Sequence, residues 1–78
     1  METVDIIQVY TDDYEAIYFN GKMVFADSYV DMYSLFSILR GKTVGFFKCY
    51  YIDAQLFEDE YEWDMPVNFE DWNMEHLE

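Results

Sequence analysis

The sequence predicts a small α+β domain: a sheet of four short strands, one packed helix, and an acidic segment after them. Three observations carry this. Runs of β-branched and aromatic residues bounded by turn residues recur along the first 52 positions. An Asn-Gly pair stands between two of them. One stretch, between Ser28 and Gly41, switches to helical spacing. The expected order is β-β-β-α-β, a small antiparallel sheet with the helix on one face and a short helix ending the chain.

Val4 to Tyr10 (VDIIQVY) reads as the first strand, and Thr11-Asp12-Asp13 as a polar break. Tyr14–Phe19 and Lys22–Ala26 flank Asn20-Gly21. Because a type I′ turn needs positive φ at both central positions, Asn-Gly there predicts a hairpin. Ser28 is placed to cap a helix, with Asp31 three residues on as in a capping box. Tyr29, Met32, Tyr33, Phe36 and Leu39 share one helical face and are expected to be its buried side, with Arg40 and Gly41 closing it. Thr43 to Ile52 (TVGFFKCYYI) reads as the last strand, in which Gly45 marks a bulge or a close approach of the helix.

The chain is one domain, but its charge divides it. Residues 1–52 hold seven acidic and four basic residues, and residues 53–78 hold ten acidic residues and no Lys or Arg. Apolar residues run through this last third too: Leu56, Phe57, Tyr61, Trp63, Met65, Val67, Phe69 and Trp72. From Phe57 to Met65, apolar residues stand at 57, 61, 63 and 65 and acids at 58, 60, 62 and 64, a period of two. In a strand this puts four carboxylates in a row, about 6.6–6.8 Å apart. A helix from Ala54 to about Glu62 capped by Asp53 competes with it and spreads the acids around its axis. The preferred expectation is a turn at 53–56 followed by an extended segment. Pro66 ends either element, and Asn68 with Asp71 caps a short C-terminal helix bearing Phe69 and Trp72.

The net charge of −13 opposes compaction, yet 53% of the chain is hydrophobic, so a folded domain is expected rather than disorder. Two Trp, eight Tyr and seven Phe exceed what so small a core needs, which leaves rings for a binding surface. A charge run is often only a solvated face, and acids also discourage sheet aggregation. A chain with no basic residue after Lys48 asks for more than that. Nucleic acid and anionic membranes would be repelled, while basic protein surfaces and divalent cations would be attracted.

Little catalytic chemistry fits. No window has EF-hand spacing, and the acidic third has no Gly. One Cys and one His cannot build a zinc site. Cys49 is expected to be a small buried hydrophobe and His76 an exposed terminal residue. There is no Gly-rich phosphate loop and no nucleophile elbow. The expectation is therefore no enzyme, cofactor or metal. With no disulfide pair, signal peptide or membrane-length apolar run, the cytoplasm is the expected compartment. Leu77-Glu78 matches the remnant of a cloning site and is given no weight.

Small size, extreme acidity, abundant rings and no catalytic set together resemble phage-encoded DNA-mimic inhibitors: anti-CRISPR proteins, anti-restriction proteins and uracil-DNA glycosylase inhibitors. The run Tyr14–Phe25 (YEAIYFNGKMVF) is similar to the hairpin of small acidic phage proteins with a Tyr-x-x-Gly-Lys turn. The resemblance implies an inhibitor, in the host cytoplasm, of a basic nucleic-acid-binding protein such as a nuclease or effector complex, with no direct contact to nucleic acid. The expected contact residues are Glu58, Asp59, Glu60, Tyr61, Glu62, Trp63, Asp64, Glu70, Asp71 and Trp72, the carboxylates replacing phosphates and the rings acting as anchors. Two alternatives stand beside it. One is an immunity protein, antitoxin or adaptor that binds a basic partner through its rings without mimicry. The other is a divalent-cation-responsive protein. An exposed strand edge would also allow a homodimer.

Overall fold

A computed structural model describes residues 2–28 and 31–78, and at Met32 the backbone alone. Among these residues the chain forms β1 (Glu2–Tyr10), β2 (Glu15–Phe19), β3 (Lys22–Asp27), α1 (Met32–Leu39), β4 (Lys42–Tyr51) and α2 (Ala54–Tyr61), then two 3-10 turns at Phe69–Asp71 and Met74–His76. The expected α+β class and β-β-β-α-β order hold. The sheet order is β3-β2-β1-β4.

The hairpin forms as expected. Asn20 and Gly21 take φ of 51° and 86°, the left-handed pair a type I′ turn requires. Asn20 is further fixed by its Oδ1, which accepts from the Asp5 backbone N–H at 2.9 Å. The last strand departs from expectation in one respect: β4 lies parallel to β1, so the sheet is antiparallel only across β1–β3. The reason is topological. After the hairpin, β3 runs the same way as β1, and α1 returns the chain across the sheet to start β4 in that direction too. Gly45 sits in a register shift opposite Val4 and Asp5, where a Cβ would collide with the Asp5 carboxylate. It marks the bulge rather than an approach of the helix.

Alternation along β1 and β2 divides the core between the two sheet faces. Val4, Ile6, Ile17 and Phe19 point to one face, where Leu35, Ile38 and Leu39 of α1 pack with Phe25. Val9, Ala16 and Tyr18 point to the other, against Ile52, Phe57, Met65 and Trp72. The second cluster takes three of its seven buried residues, Phe57, Met65 and Trp72, from the acidic third of the chain.

Helix α1 differs from its prediction. Asp31, not Ser28, occupies the N-cap position, and no side chain caps the helix. Its buried side is Leu35, Ile38 and Leu39, while Tyr33 and Phe36 are 81% and 63% exposed. Tyr29 and the Met32 side chain lie outside the described residues. The rings were expected inside because they recur at helical spacing with Met32 and Leu39. A helix of eight residues lays only one stripe on the sheet, and the aliphatic residues fill it.

The C-terminal segment straps the sheet. Val67 and Phe69 bond the backbone of Met23 and Gly21 at the β3 edge, at 2.8 Å each. Glu78 then exchanges both backbone bonds with Tyr51 at the end of β4, at 2.8 and 2.9 Å. Leu77 packs against the core, so the last two residues belong to the fold, contrary to the weight assigned them from sequence. No α-helix forms after Pro66. Asn68 caps nothing with its side chain, and the two 3-10 turns take the place of the expected short helix.

Candidate functional site

The segment expected to be extended, 57–65, is helix up to Tyr61. Asp53 decides it: its Oδ2 accepts from the N–H groups of Gln55 and Leu56 at 3.1 and 3.2 Å, satisfying two donors that would otherwise be orphaned at the helix start. Phe57 and Tyr61, four apart, then turn to the sheet, with Phe57 fully buried. The straight row of four carboxylates is therefore not formed. Glu58, Asp59 and Glu60 point outward from successive positions of the helix instead, and Glu62 and Asp64 follow at its end.

Those five acids, with Glu70 and Asp71, are all exposed. Among the described residues none has a basic partner; Lys42, by contrast, lies 3.7 Å from Glu2. Glu58 and Asp59 accept bonds only from the neutral Gln55 amide, at 3.2 and 3.1 Å. Five of these acids crowd the C-terminal end of α2, where the helix dipole is itself negative and basic residues are the stabilising choice. Helix α2 has no basic residue in its last turn.

The helix ends in strain. Glu62 and Trp63 are both left-handed, at φ 54° and 63°, a conformation that costs a non-glycine residue about 1–2 kcal/mol. The Glu62 N–H closes on the Glu58 carbonyl at 3.1 Å and the Asp64 N–H on Tyr61 at 2.9 Å. Trp63 is left 49% exposed amid the acids, resting edge-on against Phe57 at 5.4 Å.

The other predicted anchors serve the core. Trp72 is 4% exposed, and its Nε1 donates to the Tyr18 hydroxyl at 2.9 Å. That hydroxyl donates in turn to the Pro66 carbonyl at 2.5 Å. Tyr61 is half-buried, 4.5 Å from Trp72 ring to ring, and its hydroxyl bonds His76 Nδ1 at 2.9 Å. His76 is thus a half-buried partner of Tyr61 rather than a free terminal residue. Burial raises the Tyr18 pKa to about 12, the Trp72 bond opposing the rise. Cys49 was expected inside and is exposed, its thiol facing Gln8 Oε1 at 3.2 Å. Its pKa is raised, first by partial burial and then by nearby Glu15, which quiets the thiol.

No protein family, curated protein or solved structure matches the chain. Among the described residues no three His, Cys, Asp or Glu side chains stand together as metal ligands, and no helix is long and apolar enough to cross a membrane. Of the three rings expected as anchors, Tyr61, Trp63 and Trp72, Trp63 alone is exposed. The two left-handed residues that present it were not legible in sequence, since nothing in Glu-Trp signals positive φ.

Proposed function

We propose that this protein is a non-enzymatic inhibitor whose acidic C-terminal face occupies the cationic nucleic-acid site of a host defence or DNA-processing protein. One observation carries the reading: seven exposed carboxylates have no basic partner among the described residues, and five of them stand at the negative end of a helix beside the exposed Trp63. Each part of that arrangement costs stability, and neither packing nor solubility explains placing them together. A basic groove that tracks phosphates would accept such a charge cluster, and Trp63 would fill a desolvated contact within it. Tyr61 and Trp72 hold the surface in place from beneath.

The test begins with capture of the partner from host lysate on the immobilised protein at low salt, eluted by a salt gradient. The purified partner is then titrated with wild type and with Glu60→Lys/Glu62→Lys. Reversal is expected to abolish binding while the circular dichroism spectrum persists, because removing like-charge repulsion does not unfold the domain. Duplex DNA in excess should displace the wild-type protein. Unchanged affinity of the double variant would sink this reading, and so would a complex that DNA cannot displace.

A further inference from the structure

We propose that Asn20 is a spontaneous modification site that the fold holds latent: when the hairpin turn opens, the Gly21 nitrogen attacks the Asn20 side-chain amide, and the isoaspartate that results keeps the turn from closing again. This does not rest on the acidic-face reading, since it uses no residue of that face.

Asn20 is singled out by its neighbour. Of the three Asn in the chain it alone precedes a glycine; Asn68 and Asn73 precede Phe69 and Met74. Glycine has no Cβ to obstruct the approach of its nitrogen to the amide carbon. Asn20 is also exposed, so base and water reach it.

The reaction needs only water. The Gly21 N–H gives its proton to base, and the nitrogen bonds Cγ of Asn20. The Cγ–Nδ2 bond breaks, ammonia leaves with a proton, and a succinimide ring remains. Water then opens the ring at either of its two carbonyls. Opening at Cγ gives aspartate with the main chain intact. Opening at the backbone carbonyl gives isoaspartate, whose main chain runs through Cβ and Cγ and is one atom longer. One water enters, one ammonia departs, and nothing is oxidised or reduced.

The fold holds the two reacting residues from different elements. Asn20 is tied twice to Asp5 of β1: its N–H donates to the Asp5 carbonyl and its Oδ1 accepts from the Asp5 N–H, both at 2.9 Å. The side-chain carbonyl thereby extends the β1–β2 ladder one step past Ile6 and Phe19. Gly21 is tied to the C-terminal strap, its carbonyl accepting from the Phe69 N–H at 2.8 Å, and Lys22 is bridged to Asn68 beside it. For Cγ to meet the Gly21 nitrogen, the amide must leave Asp5 and the Asn20–Gly21 peptide must rotate out of its left-handed turn. The reaction therefore runs from the open turn, and its rate follows how often the turn opens. Isoaspartate adds a main-chain atom to a turn whose two residues set the register of β2 against β3, and it releases the strap at Gly21. Some openings thus end in irreversible exit from the native state, so the lifetime of the fold is a rate as well as an equilibrium.

To test this, the full chain is incubated at mildly alkaline pH in heavy-oxygen water, in native buffer and in urea that unfolds it, and its peptides are mapped by mass spectrometry. One water oxygen stays in each product and marks the event. Label should enter the peptide containing Asn20, and roughly tenfold or more slowly in native buffer than in urea. Tyr18→Phe, which loosens the strap at Pro66 and Trp72, should narrow that gap. The isoaspartate form, separated by chromatography, should fail to regain the native circular dichroism spectrum once urea is removed. Equal rates in the two buffers overturn the inference, as does label entering mainly at Asn68 or Asn73, or an isoaspartate form that refolds.

Discussion

The two faces of the sheet are built by different means. On one, an eight-residue helix lays three aliphatic side chains over Val4, Ile6, Ile17 and Phe19 and leaves two of its rings in solvent. On the other, α2 and the residues after it bury Phe57, Met65 and Trp72 over Val9, Ala16 and Tyr18 and tie them with a chain of hydrogen bonds from Trp72 to Tyr18 to Pro66. The acidic third is therefore not a charged tail on an independent scaffold. Its outer side carries the charge, and its inner side closes one of the two core clusters.

The largest break in that comparison should come from the second face. Phe57→Ala should lower the unfolding free energy by about 3–5 kcal/mol, against about half that for Leu35→Ala on the first, because Phe57 is fully buried and Leu35 only partly so. Denaturant titration of the two variants measures the difference. Equal losses would mean that the faces contribute alike.

Tyr18 links the sheet to the acidic third. Tyr18→Phe leaves the Trp72 N–H and the Pro66 carbonyl without their partner, which should cost about 1–3 kcal/mol in the same titration. The wild type should also lose stability in alkali. The Tyr18 pKa is raised from 10.0 to about 12 in the folded state, so the unfolded chain gives up this proton first. Stability from this group is complete below pH 10 and falls as pH rises from 10 to 12. An alkaline melt of Tyr18→Phe should show a shallower decline over that window.

The hairpin and the order of elements along the chain were legible in sequence because each rests on a local rule, as in Asn20-Gly21, whereas Gly45 stood open between a bulge and a close approach of the helix. The acidic segment was not legible, for a specific reason. Alternating acids from 58 to 64 satisfy strand periodicity, while the Asp53 cap and the Phe57–Tyr61 spacing satisfy a helix. Burial of Phe57 against Val9 and Tyr18, which are distant in sequence, settles the choice. The same limit hid Trp72, whose burial depends on a hydroxyl 54 positions away. Parallel pairing of β4 and the exposed side of α1 are likewise decided by where the crossover lands.

Smaller effects sharpen the account of the exposed side. Glu62→Gly should raise stability by about 1 kcal/mol, because glycine tolerates the left-handed end of α2 without strain. The same change should weaken partner binding by removing one carboxylate. If it destabilises the fold instead, the helix end is held by the Glu62 side chain rather than strained by it. Smallest, the buried Thr11 hydroxyl has no hydrogen-bond partner among the described residues, so Thr11→Val should stabilise by up to ~1 kcal/mol in a thermal melt without affecting binding.

The most direct test of the acidic face is the salt dependence of partner binding, measured by titration calorimetry for wild type and Glu60→Lys/Glu62→Lys, with duplex DNA as competitor. The account predicts wild-type affinity that falls steeply with salt, loss of binding in the double variant, and displacement of the wild type by DNA. Salt-insensitive binding that survives the charge reversal and ignores DNA would contradict it.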